Sequence, residues 1–240
     1  MDSAYKIPLL ESLKWSFQWA VAVVLRHQKV TAAYAAGGIV AGLLGSSVLG
    51  GLALLAYSLA CIPLALLTHA EVLRGPSALD AQTLGEGPGR MIGYFLDTVL
   101  IGLAAVLGAL LPLFALGGLA LSSTSAALGD GLELVLILLI MVFVAVIAAR
   151  PSLRLPSRVL GDPISWSQAW RLGEGNTLAL VLGPFLISVP ILVVERVILW
   201  VFGVTLGELA SMVLLPAQVV LTCAFLSVAY GQLRRARPEL

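Results

Sequence analysis

Charge is what this sequence has least of. Only 11% of its 240 residues are Asp, Glu, Lys or Arg, and 60% are hydrophobic, where soluble domains carry about a quarter charged and about half apolar. A chain so poor in charge cannot cover a water-facing surface, so it reads as a polytopic membrane protein. The formal net charge of +1 leaves no basic patch of the kind a nucleic-acid partner requires. Cys61 and Cys223 both fall in apolar runs; they match no metal-ligand spacing and read as small packing residues. There is no Gly-rich phosphate loop, no H-E-x-x-H, no G-x-S-x-G and no C-x-x-C, and neither histidine lies deep in an apolar run. A membrane-embedded hydrolase needs paired intramembrane acids, or a Ser or Cys with a base. The expectation is therefore a protein that is not an enzyme, with no catalytic residue, metal or cofactor. A cleavable signal is not expected either: MDSAYK is not a basic leader, and RHQK follows the first short apolar run where small residues would be needed.

Long apolar runs are what the chain has instead. Gly131 to Ala149 is apolar on every side, unlike the alternation of a barrel strand, so the runs predict helices. Runs broken by charge and turn residues predict six spans, at 30–47, 50–70, 92–121, 131–149, 176–194 and 208–231. The first two come from one stretch too long for a single span, and Gly42 to Gly51, GLLGSSVLGG, is where it can turn. The third is longer than a bilayer requires, which predicts tilt or a break at Pro112. With this threading, thirteen of the fourteen Lys and Arg residues fall on one side, and only Arg196, beside Glu195 in the last outer loop, falls on the other. The positive-inside rule then puts both termini on the cytoplasmic side of the membrane.

Two segments outside the spans carry helical patterns. Residues 1–29 form an N-terminal cytoplasmic unit, with Glu11, Lys14 and Gln18 on one side of a helix and Leu10, Leu13 and Phe17 on another. That pattern predicts an amphipathic helix lying in the interface, with residues 30–240 as the transmembrane domain. The second lies in the fourth loop, RPSLRLPSRVLGDPISWSQAWRLGEGN, Arg150 to Asn176. Ser165 and Gln168 form a capping-box pattern that predicts a short helix. Its projection puts Trp166, Ala169, Trp170 and Gly173 on one face and Ser167, Gln168 and Arg171 on the other. Arg150, Arg154 and Arg158 are spaced by four, but prolines interrupt any helix that would align them.

Polar residues at membrane depth are the other candidates. Asp97 sits about a turn inside the start of span three; it reads as a helix-start acid paired with an arginine such as Arg90 or Arg150, or as a proton or cation site. His69 and Glu71 end span two, two residues apart and so on different helix faces, and read as junction residues in water. Asn176 and Gln218 read as amides that cap an end or bond a neighbouring helix. Gly38-x-x-x-Gly42 and Gly203-x-x-x-Gly207 read as small-residue packing faces.

The run Arg150-x-Ser152-x-x-x-x-Pro156, followed by Ala169-Trp170-Arg171-Leu172 and Gly175-Asn176, resembles the signature loop of a broad group of bacterial integral membrane proteins with no assigned reaction. These are similar in layout to the glycerophosphoryl diester phosphodiesterase membrane-domain superfamily. His69-x-x-Val72-Leu73-x-Gly75, Gly93-Tyr94 and Ser227-Val-Ala-Tyr230-x-x-Leu233 add to the likeness. Glu71 departs from the pattern, and the phosphodiesterase catalytic domain is absent from this sequence. The resemblance implies six inner-membrane helices and no reaction, substrate or catalytic residue. The functional expectation is a non-enzymatic membrane-organising or accessory protein whose basic face contacts anionic lipid or a protein partner. Arg150, Arg154, Arg158, Arg171, Trp166 and Trp170 are the candidate contacts. The rival is a small-solute or lipid transporter with Asp97 in its pathway and proline-broken spans.

Overall fold

The structure is a computed structural model and describes residues 5–45, 50–75, 88–121 and 126–239. The elements there are all helical: α1 (Leu9–Arg26), α2 (Gln28–Gly45), α3 (Gly50–Ala60), α4 (Ile62–Arg74), α5 (Pro88–Leu121) and α6 (Ala126–Ala149) come first. A 3₁₀ turn (Pro151–Leu153), α7 (Arg154–Leu160), α8 (Trp166–Leu172), α9 (Thr177–Phe202) and α10 (Val204–Ala236) complete the order. Five stretches are long and apolar enough to cross a membrane: Leu55–Arg74, Gly89–Gly108, Leu138–Leu160, Thr177–Phe202 and Val204–Ala236. The expected span at 30–47 corresponds to α2, which opens on Gln28 and Lys29 and is not among the five. Part of the turn expected in GLLGSSVLGG, residues 46–49, lies outside the described residues.

Side chains are distributed in the reverse of a soluble protein. Leu10 is 81% exposed and Trp200 88%, whereas Ser12, Ser16, Thr68, His69, Glu71 and Ser227 are fully buried. Lipid is as apolar as leucine, so outward leucines cost nothing, while every polar group needs a partner inside. Some find it in their own helix: Thr68 Oγ1 donates to Leu64 O at 2.8 Å and Ser188 Oγ to Pro184 O at 2.7 Å.

Helix α10 is the axis of the bundle. Val220, Ala224, Phe225, Ala229, Tyr230 and Leu233 on it are fully buried or nearly so, and the main core cluster forms around them. α4 runs parallel to α10, with His69 bonded to Ser227 and Leu73 beside Gly231. α1 and α2 run antiparallel to it: Ser12 bonds Gln232, Gly38 lies against Met212 and Gly42 against Leu209. Any side chain on Gly38 would overlap the Met212 carbonyl, so the first glycine pair is an intramolecular packing face. The second pair differs. Gly203 alone separates α9 from α10, with φ +85°, a conformation that favours glycine; only Gly207 packs, against Leu199.

Several boundaries depart from the expected ones. α1 belongs to the bundle: its buried residues are Ser12, Ser16, Ala20 and Val23, and a single non-helical residue, His27, separates it from α2. The second expected span is two helices meeting at Cys61, because Pro63 sits in the first turn of α4 and has no N–H for the α3 ladder. α5 is continuous through Pro112. α9 runs to Phe202, so Glu195 and Arg196 are helical rather than in a loop. Its Pro184 and Pro190, like Pro216 in α10, are carried inside the helix.

Candidate functional site: a buried charge cluster at the basic end

The segment after α6 is a packed structure rather than a solvated loop. The 3₁₀ turn leads directly into α7, where Pro156 is the third residue. In a first turn the missing proline N–H has no helical partner to lose, so the prolines do not interrupt α7. Arg154 and Arg158 therefore share a helix face, and Arg150 is left in the turn before. Gly161, with φ +83°, ends α7 in the left-handed region. Ser157 Oγ donates to Arg154 O at 2.7 Å and accepts from Ile164 N at 3.2 Å, folding the chain back to α8. The capping box forms as expected: Ser165 Oγ accepts from Gln168 N at 3.2 Å, and Gln168 Oε1 from Ser165 N at 2.8 Å. Arg237 closes the other end of α8, donating to Arg171 O at 2.6 Å.

Asp97, 1% exposed, faces this segment. Its Oδ1 lies 2.9 Å from Arg154 Nη2, and its Oδ2 accepts from Arg158 Nε at 2.6 Å. Gly93, one turn before Asp97, leaves room for the Arg158 guanidinium: a Cβ there would sit 3.3 Å from Nη1. The partners are thus Arg154 and Arg158, not the expected Arg90 or Arg150. Arg90 lies instead against Gly161. Arg150 Nε donates to Thr177 Oγ1 at 2.7 Å, and its guanidinium lies 5.1 Å from the Trp170 ring centre; that of Arg154 lies 4.9 Å from Trp166. The expected tryptophan face is therefore split. Ala169 and Gly173 pack inward, and the two indoles carry arginines.

Two further polar networks lie beside this cluster. His69, expected in water, is fully buried. Its Nδ1 is 2.6 Å from Ser227 Oγ and its Nε2 3.1 Å from Tyr94 OH, joining α4, α5 and α10. Tyr94 lies one turn before Asp97, so α5 presents both groups inward. Glu71, also expected in water, is fully buried too and pairs with Arg26 and with His27 Nε2, the latter at 2.9 Å. Burial and the adjacent Arg26 hold His27 below its ordinary value of 6.5, so the neutral ring donates to the Glu71 carboxylate. The different faces inferred for His69 and Glu71 are observed: one looks toward α5 and α10, the other toward the α1–α2 break. Among the described residues, no three His, Cys, Asp or Glu side chains group as metal ligands.

Asn176 is 2% exposed and holds the N-terminal segment: Oδ1 accepts from Ile7 N at 2.7 Å, and Nδ2 donates to Tyr5 O at 2.8 Å. Gln218 lines a cavity of about 340 Å³ with Ser58, Thr98, Thr222 and Tyr94. Ser227, Tyr94 and His27 were not separate candidates. A serine or tyrosine in an apolar run has no signal of its own until a buried histidine is placed against it.

Among the described residues every element is helical, and five stretches are long and apolar enough to cross a membrane. No family model, curated protein or solved structure matches the chain, so the family resemblance rests on the motifs quoted above.

Proposed function

We propose that this protein is a non-enzymatic, six-span protein of the bacterial inner membrane, with α2 as the sixth span and both termini cytoplasmic, that presents a basic end to anionic lipid. One observation carries the reading: the cations gather at one end of the bundle. Arg154 and Arg158 pair with Asp97, Arg74 donates to Val159 O, Arg234 to Asp162 and Arg237 to Arg171 O, each bond having one partner on the segment between α6 and α9. Arg196 lies far along α9, beside Trp200. The internal arginines consolidate this end, and the exposed Lys6, Lys14, Arg171 and Arg235 are left to meet headgroups, each contributing about 1 kcal/mol near an anionic leaflet. The lipid-contact role thus moves from Arg150, Arg154 and Arg158 to these four, with Trp166 and Trp170, both still part exposed, at the same level.

Transport through Asp97 is the weaker reading, because an acid 1% exposed and held by two guanidiniums is a structural counter-ion. The test is extraction in polymer discs from a mixed bilayer, with the co-extracted lipid quantified. The parent protein should enrich anionic over zwitterionic lipid, and Lys6→Gln/Lys14→Gln/Arg171→Gln should reduce the enrichment. Equal lipid composition inside and outside the parent discs overturns the proposal.

A further inference from the structure

The basic end also contains a cleft. It lies between α1 and α4, with α10 as its floor, and measures about 770 Å³, within the range of about 300–1,000 Å³ typical of small-ligand sites. Trp15 and Trp19, one helical turn apart on α1, form one wall, and Leu73 and Leu160 the other. The floor is shallow at Gly231, where a Cβ would meet only Leu73, at 3.8 Å. Arg234 and Arg235 stand at the same place, on the last turns of α10.

The chemistry of this lining is two-sided. Arg234 Nη2 donates to Asp162 at 3.2 Å, while its Nη1 is buried and has no hydrogen-bond partner. Nη1 is enclosed by protein, so the cationic surface that the cleft offers is the remainder of the Arg234 guanidinium together with Arg235. Arg235 is exposed, and Asp162 is the only carboxylate paired with either arginine among the described ion pairs, which leaves the pair of arginines with an excess positive charge. Beside them, two indoles and two leucines make a wall that water does not favour, and tryptophan suits the headgroup level of a bilayer. A soluble anion pairs with the arginines and leaves the apolar walls wet, and a hydrocarbon chain alone leaves their excess charge unpaired. An occupant with a phosphate joined to acyl chains satisfies both.

We propose that the α1–α4 cleft binds one anionic phospholipid from the surrounding leaflet, its phosphate on Arg234 and Arg235 and its upper acyl segment between Trp15, Trp19 and Leu73. This rests on the basic end facing an anionic leaflet, and it adds a single discrete site to that diffuse contact.

The test is native mass spectrometry of the full chain released from nanodiscs of equal phosphatidylglycerol and phosphatidylcholine. The parent protein is expected to keep one phosphatidylglycerol per chain, preferred by about fivefold, the order expected of one net positive charge near an anionic headgroup. Arg234→Gln/Arg235→Gln should lose the adduct. Leu73→Trp, which fills the cleft and keeps both arginines, should lose it too, with helix content by circular dichroism unchanged. Lys6→Gln/Lys14→Gln, neither of which lines the cleft, should keep it. Retention of the adduct by a folded Leu73→Trp protein overturns the cleft while leaving the diffuse contact standing. No phosphatidylglycerol preference in the parent protein overturns both. Displacement of the adduct by inorganic phosphate alone overturns the cleft as a lipid site, because the acyl contacts then contribute nothing.

Discussion

Asp97 and Arg158 are 61 residues apart in the chain, and the Arg158 Nε donates to Asp97 Oδ2 at 2.6 Å. With Arg154 on the other carboxylate oxygen, this contact fastens the α5–α6 hairpin to the segment that packs under α4 and α10. One carboxylate serves two guanidiniums, so its removal leaves two cations facing each other with no counter-charge. Asp97→Asn is expected to destabilise the protein by about 3–5 kcal/mol, the loss typical of breaking a buried pair. Arg158→Gln leaves Asp97 still paired with Arg154 and should cost less, about 1.5–3 kcal/mol. Unfolding in mixed micelles with increasing dodecyl sulfate measures both, and equal stability of Asp97→Asn and the parent would remove the clamp from the account.

His69 links Ser227 and Tyr94 at full burial, so its two bonds should be coupled to the packing of α4 on α5 and α10. In a double-mutant cycle of His69→Leu and Tyr94→Phe, the interaction energy should be about 0.6–2 kcal/mol, the range seen for hydrogen bonds between membrane helices. A value indistinguishable from zero means the 3.1 Å contact adds nothing to stability.

Asn176 binds both the Ile7 amide and the Tyr5 carbonyl. Asn176→Ala should speed hydrogen exchange of the Ile7 amide while leaving the core of α10 protected, with a local cost of about 1–3 kcal/mol. Asn176→Asp retains the Oδ1 acceptor and loses the donor, so its Ile7 exchange should stay closer to that of the parent. Unchanged exchange in Asn176→Ala would show that the segment is held by something else.

Gly38 faces the Met212 backbone, which cannot move aside as a side chain can. Gly38→Ala should separate α2 from α10 and cost about 1–3 kcal/mol. Gly102→Ala is the control: nothing lies within 4 Å of a Cβ there, and alanine is the better helix former by about 0.8–1.0 kcal/mol. Melting temperatures that fall by equal amounts in the two variants would contradict the packing face.

The helices were legible because apolar runs leave a chain few other structures in lipid. The capping box at Ser165 was legible for the same local reason, since both its bonds join residues three apart. Asp97 was recognisable as an acid in need of an arginine, but which arginine depended on α7. Prolines in Arg150 to Pro156 suggested a broken segment, whereas Pro156 falls where its missing N–H is harmless. His69 and Glu71 looked solvated because they lie at the end of a run. Their burial comes from α1, α5 and α10 closing over the last turn of α4, a consequence of tertiary packing with no local signal.

The proposed threading brings the cations to one membrane face, and residue-by-residue accessibility tests it. In a background lacking the two buried cysteines, Cys61 and Cys223, single cysteines are placed by Arg171→Cys, Arg235→Cys and Val204→Cys, all at exposed positions. Each is treated with a membrane-impermeant maleimide in intact cells and in inverted vesicles. Arg171→Cys and Arg235→Cys should label only in inverted vesicles, and Val204→Cys, at the turn between α9 and α10, only in intact cells. Labelling of Arg171→Cys and Val204→Cys from the same face would contradict the threading and the basic cytoplasmic end together.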